Sequence, residues 1–383
     1  MVIPTILGIE SSCDETAAAV VRGGREILSS VVTSQDDVHR KYGGVVPELA
    51  SREHLRRIVP VVREALAQAR KDFGGIEAIA VTQGPGLIGS LLVGYTYGQT
   101  LAMALGKPLV PVNHLEGHVH SVFLEAQQGK TSGHRRLPEL PAVCLIVSGG
   151  HTVLYDVRPM DGGLAGSADY PAFRCAYARI GATRDDAAGE AYDKVAKLLA
   201  LGYPGGPVMD QFARHGNAGA VLFTAPHTRG NPFDFSFSGI KTAVLRHIRA
   251  NPGFGPEIAA RIEALRSGVR RAAELLPLCS QATLNLVASF QRAVVEDLVQ
   301  RTLAAAEERA AQCVLVSGGV AANSELRATF EQEAASRALP VFFPSRPLST
   351  DNAAMIAAAA YPRLLAGEIA RDGPGAQANL PLA

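Results

Sequence analysis

Cys144-Leu-Ile-Val-Ser-Gly-Gly-His-Thr-Val-Leu-Tyr-Asp156 reads as a strand, a turn of small residues and a second strand. The unbroken apolar run Cys144–Val147 fits a strand buried on both faces. Ser148-Gly-Gly150 stops it with residues that favour turns. Two other stretches repeat the pattern. Ile3-Pro-Thr-Ile-Leu-Gly-Ile9 runs into Glu10-Ser-Ser-Cys-Asp-Glu-Thr16 and returns over Ala17–Arg22. Cys313-Val-Leu-Val-Ser-Gly-Gly-Val-Ala-Ala-Asn-Ser-Glu325 begins alike but continues as a helix. Val-Ser-Gly-Gly stands at 147–150 and again at 316–319. One such turn carries little. Two copies after apolar strands, with the acidic hairpin beside them, predict a duplicated α/β unit that grips a nucleotide between its halves.

Outward from these turns, apolar positions at helical spacing (Leu49, Leu55, Ile58, Val61, Val62, Leu66) predict an amphipathic helix over 46–70. Its opposite face carries Arg52, Arg56, Arg57 and Arg63, either solvated or turned to a partner. Ile76–Thr82 reads as a strand. Leu87–Leu105 reads as a helix whose glycines at 89, 94 and 98 permit close packing, on a sheet or on a partner. Residues 126–139 are polar and aperiodic, as a domain boundary would be. Phe233, Phe235 and Phe237 alternate as in a half-buried edge strand. The expected division is an N-terminal domain at 1–138, a C-terminal domain at 139–365 and a flexible tail at 366–383.

At 383 residues the chain exceeds one ordinary core, which agrees with two domains. Its formal net charge is +1, so no strong overall field recruits nucleic acid. Five cysteines without a Cys-x-x-Cys argue against a disulfide framework or a thiolate zinc site. No uncharged stretch reaches roughly 18 residues of the hydrophobicity a membrane span needs. The expectation is a soluble, cytoplasmic protein.

The chemistry centres on Asn113-His-Leu-Glu-Gly-His118. On a helix, His114 and His118 lie one turn apart on one face, close enough to share a metal, or else stand as two solvated histidines. Glu116 points away from that face, so the general base of a metalloprotease is missing. Asp351, in Ser349-Thr-Asp-Asn-Ala-Ala-Met-Ile356, opens the last small-residue helix. It is either an N-cap or the carboxylate of a two-His, one-acid metal site. Asp14 and Glu15 lie in a turn that can hold a water or a metal, or can be only a turn. Gly205 and Gly206 would let a loop approach a ribose closely.

Eight blocks together resemble one known family. They are Gly8-Ile-Glu-Ser-Ser-Cys-Asp-Glu-Thr16, Asn113–His118, Val147-Ser-Gly-Gly-His-Thr152, Asp185-Asp-Ala-Ala-Gly-Glu-Ala-Tyr-Asp-Lys194, Tyr203-Pro-Gly-Gly-Pro207, Phe235-Ser-Phe-Ser-Gly-Ile-Lys241, Val316-Ser-Gly-Gly-Val-Ala-Ala-Asn323 and Ser349–Ile356. In this order, over about residues 5–365, they resemble the TsaD family of bacterial tRNA threonylcarbamoyltransferases. The resemblance implies the actin, heat-shock chaperone and sugar-kinase (ASKHA) fold, with the nucleotide site between two domains. It implies transfer of threonylcarbamoyl from threonylcarbamoyl-AMP to the N6 amine of the adenosine beside the anticodon in ANN-reading tRNAs, releasing AMP. His114, His118 and Asp351 match the family's metal ligands, for iron first and zinc as the alternative. Ile146, Val147, Ser148, Gly149, Gly150, Asp193, Gly206, Asp210 and Asn323 match its adenylate-binding positions, which ATP or AMP can also occupy. Asp14 and Glu15 match the acidic hairpin beside the metal, where one acid would take the amine proton or orient water. The implied partners are tRNA, TsaB and TsaE, with no membrane. Two stretches, 161–182 and 250–280, look like insertions relative to the family.

Three other readings compete. A metalloprotease has the wrong Glu offset, a sugar kinase of the same superfold would not need the histidine pair, and a nucleotide-binding scaffold would not need the full ligand set.

Overall fold

The computed structural model describes residues 3–127, 137–160, 174–223, 230–370 and 375–382. Among these described residues, ten strands form two five-stranded sheets. The first contains β1 (Thr5–Glu10), β2 (Glu15–Arg22), β3 (Glu26–Ser34), β4 (Ala78–Gly84) and β5 (Leu109–Asn113) in the order β3-β2-β1-β4-β5. The second contains β6 (Ala142–Val147), β7 (Thr152–Pro159), β8 (Cys175–Ala182), β9 (Cys313–Ser317) and β10 (Val341–Phe342) in the order β10-β9-β6-β7-β8. In each sheet the first three strands form an antiparallel meander and the last two add in parallel on the other side. Read from the meander edge, the two orders are the same. The duplication legible in the three strand–turn motifs is therefore a duplication of topology, the ASKHA arrangement.

Central strands β1 and β6 are buried along their whole length because helices cover both faces of each sheet. On the first sheet, helices Pro47–Gln68 and Ile88–Leu105 close one face through Ile58, Val62, Leu66 and Tyr95 against Leu7, Ile9 and Val81. The alanine-rich closing helix Ala353–Leu365 covers the other face, with Ile6, Val21, Val110 and Val112 beneath it. Helix Gln281–Glu308 packs with Ala188–Leu198 and Gly205–Ala213 on one face of the second sheet. Its other face receives Leu115, Val119, Val122 and Phe123 of the histidine helix His114–Gln127. The histidine helix and the closing helix pack against each other between the sheets. The candidate ligands belong to this shared layer.

The structure corrects several expectations. The closing helix lies within 139–365 yet packs on the first sheet. The phenylalanine segment is no edge strand. Phe233, Phe235 and Phe237 are all buried, one isolated bridge joins Phe235 to Thr183, and a helix follows from Ser238. Asp185 shapes this segment by accepting from the Ser236 and Ser238 hydroxyls and the Phe237 N–H. Within 161–182, residues 161–173 lie outside the described residues, and most of the remainder is β8, part of the sheet itself. The 250–280 stretch folds as helices Phe254–Arg266 and Ala272–Leu275. It is pinned by a fully buried Arg261, which donates to Leu199 O and Leu278 O at 2.8 Å each. Residues 375–382 of the tail expected to be flexible are docked, as described below.

Candidate metal centre

The first metal-site geometry comes from the end of β1. Glu10 is fully buried, and its carboxylate has three partners. Oε1 accepts the Ser12 N–H at 2.5 Å, and Oε2 accepts the Thr82 hydroxyl at 2.7 Å and His114 Nδ1–H at 3.0 Å. Donation from Nδ1 turns His114 Nε2 toward the opposite side, where it stands 3.6 Å from Asp351 Oδ1. His118, one turn on, brings Nε2 to 3.3 Å from the same oxygen. The two imidazoles meet edge to face with centroids 4.8 Å apart.

Asp351 is free for this role because its neighbour does the capping. Asn352 is the N-cap of the closing helix, accepting the Met355 N–H at 3.0 Å. The N-cap alternative for Asp351 is thereby answered. Gly117, between the histidines, lets the two helices approach, since a Cβ there would stand 2.9 Å from Ile356 Cδ1 and 3.1 Å from Met355 Cγ. Glu116 faces away from the triad and pairs with Arg363 of the closing helix at 2.5 Å.

Burial alone would lower the His114 pKa, but the Asp351 and Glu10 carboxylates outweigh it and hold the ring up at about 9. Burial would raise Asp351, and the His114 charge takes it well below the usual carboxylate range. Burial holds His118 down. Both His118 ring nitrogens are buried without a hydrogen-bond partner, so Nε2 faces Asp351 without hydrogen-bond geometry. Two imidazole nitrogens and one carboxylate oxygen lie within 4.8 Å of one another, with one imidazole already oriented by a carboxylate behind it. This donor set fits a divalent transition ion with coordination positions left open.

Glu15 opens β2 next to this triad. Burial, then the charges of Asp14 and Asp351, push its carboxyl well above the ordinary range. On helix Ala188–Leu198, burial raises Asp193 to about 6, with Asp14 and Asp36 adding to the rise, while its carboxylate accepts the Gly205 N–H at 2.7 Å. Gly149 and Gly150 are exposed, and a Cβ at Gly149, Gly150 or Gly206 would meet nothing within 4 Å. These backbones face open space. Ser148 shapes the first loop, its N–H donating to His151 O at 2.7 Å and its hydroxyl accepting the His151 N–H at 3.1 Å. Ile146 and Val147 put fully buried side chains into the cores, leaving only their backbone for a ligand. Asp210 accepts from the Ser324 N–H and hydroxyl, and Asn323 caps helix Ser324–Ala335 and donates to Gln291. Both therefore brace the turn after β9. Arg40 Nε donates to Tyr203 O at 3.2 Å and Lys197 Nζ to Tyr42 O at 3.4 Å.

Sequence reasoning missed Glu10 as a member of the centre. Its signal was an acid closing an otherwise apolar strand one step before the turn. It also gave no role to His151, whose ring lies 6.2 Å from His114 and which burial holds down at about 4.

Comparison with known proteins identifies the family. The TsaD family model, described as tRNA N6-adenosine threonylcarbamoyltransferase, matches residues 26–358. A tRNA N6-adenosine threonylcarbamoyltransferase of Koribacter versatilis is 56% identical, with 98% of each chain covered. One of Clostridium perfringens is 46% identical, again with 98% of each covered. Among solved structures, T. kodakarensis HypF shares the fold with a TM-score of 0.53 at 15% identity, over 96% of this chain and 48% of that one. With its motifs, its twin sheets and a match to these relatives over nearly their full length all in agreement, the chain belongs to the TsaD family of tRNA N6-adenosine threonylcarbamoyltransferases.

Proposed function

We propose that the protein transfers the threonylcarbamoyl group of threonylcarbamoyl-AMP to the N6 amine of the adenosine beside the anticodon in ANN-reading tRNAs. The observation that carries this reading is the His114–His118–Asp351 triad, with His151 of the loop that follows the open Gly149 and Gly150 only 6.2 Å from His114, in a chain of this family. The amine nitrogen attacks the carbamoyl carbon, the bond from that carbon to the phosphate oxygen breaks, and AMP departs with the electron pair. His114, His118 and Asp351 would hold a divalent ion, iron first and zinc as the alternative, which supplies Lewis acidity toward the acyl group. Glu10 keeps His114 in the tautomer that presents Nε2. The backbone N–H groups of Gly149 and Gly150 receive the phosphate, and Asp193 accepts from ribose hydroxyls beside Gly206. Asp210 and Asn323 hold the turn after β9 against the nucleoside. One of the two hairpin acids, Asp14 or Glu15, takes the amine proton or orients water.

The partners in this reading are tRNA, TsaB and TsaE, and the compartment is the cytoplasm. No helix among the described residues is long and apolar enough to cross a membrane. Exposed Leu55, Val59, Ile88 and Leu92 make an apolar stripe on helices Pro47–Gln68 and Ile88–Leu105, which suits an apolar surface of a protein partner, TsaB in this reading. The experiment is single-turnover transfer from purified threonylcarbamoyl-AMP to an ANN-reading tRNA, with partners added, for wild type and His114→Ala. Loss of metal and product together is the expected result. Full transfer by metal-free His114→Ala would overturn the reading.

A further inference from the structure

Residues 375–382 run as a strap across the ends of β4 and β5 and into the layer between the sheets. Gln83 Nε2 donates to Gly375 O at 3.2 Å, Gln377 N to Gln83 O at 2.8 Å, and Gly86 N to Ala378 O at 3.1 Å. At Gly84 a Cβ would collide with Gln377 O, so the glycine is what lets the strap lie this close. Farther on, Leu382 is 7% exposed and sits in the cluster that holds Leu115 and Val119 of the histidine helix.

Asn113 stands between strap and metal centre. It is 6% exposed, and its side-chain amide is fully committed. Oδ1 accepts the Leu115 N–H at 2.9 Å, which caps the first turn of the histidine helix. Nδ2 donates to Leu380 O at 3.3 Å and Pro381 O at 3.1 Å. One planar amide thus joins the strap to the turn that begins with His114. Leu382 packs in the same cluster as Leu115 of that turn. We propose that the strap is part of the frame of the metal centre, and that Asn113 is the positioning residue through which it holds His114 toward His118 and Asp351. This rests on the reading of those three residues as a metal site.

The test uses the full chain and Co2+ as probe, followed by its visible absorption, with thermal unfolding of the same metal-free samples. Asn113→Asp keeps an oxygen for the Leu115 N–H but turns a second oxygen on the Leu380 and Pro381 carbonyls, so it releases the strap without removing the cap. Leu382→Ala loosens the anchor at the far end. A chain ending at Gly375 removes the strap. The expected result is Co2+ binding weakened about tenfold or more in Asn113→Asp, less in Leu382→Ala, with an altered absorption spectrum. A strap that only stabilises the fold would lower the unfolding temperature and leave the affinity of the folded protein within twofold of wild type, which overturns the proposal. Should the shortened chain fail to fold, the two point variants still decide. Wild type that takes up no Co2+ would sink the metal reading and the strap's role with it, whereas wild type and Asn113→Asp that bind alike would sink the strap's role alone.

Discussion

Glu10 Oε2 and His114 Nδ1 stand 3.0 Å apart in a pocket where both side chains are almost wholly buried. Burial raises the Glu10 carboxyl, but the His114 charge and hydrogen bond outweigh that and bring it below its ordinary value. The pair therefore orients the ring and strengthens Nε2 as a donor. Glu10→Gln keeps the shape and loses the charge. Its expected effect is a 10–100-fold loss of metal affinity, on the order seen for carboxylates behind ligating histidines. Equilibrium dialysis against Zn2+ or Co2+ measures it, and unchanged affinity would contradict the role.

Asp193 gives a pH dependence separate from the metal site. Its folded-state pKa is raised to about 6, so the folded protein holds this proton more tightly than the unfolded chain does. The stability this contributes is fully present below the ordinary aspartate pKa and is lost as pH rises through about 6. Asn at this position cannot ionise and can still accept from Gly205. Asp193→Asn should therefore gain stability over wild type between pH 4 and 7, by on the order of 1–2 kcal/mol once partial exposure is discounted. Urea denaturation at a series of pH values reads the difference, and a constant offset across the range would refute it.

Two glycines on the path of the closing helix differ in what they meet. At Gly8 a Cβ would collide with the backbone oxygen of Ala353, which cannot yield without moving the helix that carries Asp351. At Gly117 it would meet only the ends of Ile356 and Met355 side chains. Gly8→Ala should cost about 1–3 kcal/mol and weaken metal binding, while Gly117→Ala costs less. Equal effects from both would show that side-chain crowding, not helix displacement, sets the cost.

The apolar stripe on the two outer helices makes a different kind of claim. Leu92 is 48% exposed and does not belong to the core. Leu92→Asp is expected to leave the unfolding temperature of the isolated chain within about 1 °C, as surface substitutions do, and to abolish co-elution with TsaB on size exclusion. Retained co-elution would move the partner surface elsewhere.

Much of this architecture was legible in the residues. Uninterrupted apolar runs marked β1, β6 and β9, because strands covered on both faces have no reason to alternate. The glycine turns after two of them end those strands, Gly149 and Gly150 facing open space and Gly318 packed against the Val147 backbone. Residues 233–237 misled because alternation also arises in an extended segment held mainly by a side chain, here Asp185, that touches the sheet only at one bridge, between Phe235 and Thr183, and buries all three phenylalanines. Glu10 was hidden by sequence distance, since what makes it part of the site is a hydrogen bond spanning 104 residues. The docking of residues 375–382 was invisible for a related reason. Their composition is that of a loose tail, and their order comes from Gln83, Gly84 and Asn113, none of which announces a partner.

The closing helix has one more consequence, for the order in which the molecule can assemble. Ile6, Val21, Val110 and Val112 are made early, but the face they share is covered by residues 353–365. A ribosome that has released the whole first sheet has not yet released its lid. The second sheet and its helices emerge in between and can close on themselves. The first lobe must therefore wait with an apolar face uncovered through more than half of translation, and it is there that a nascent-chain chaperone would find its binding site.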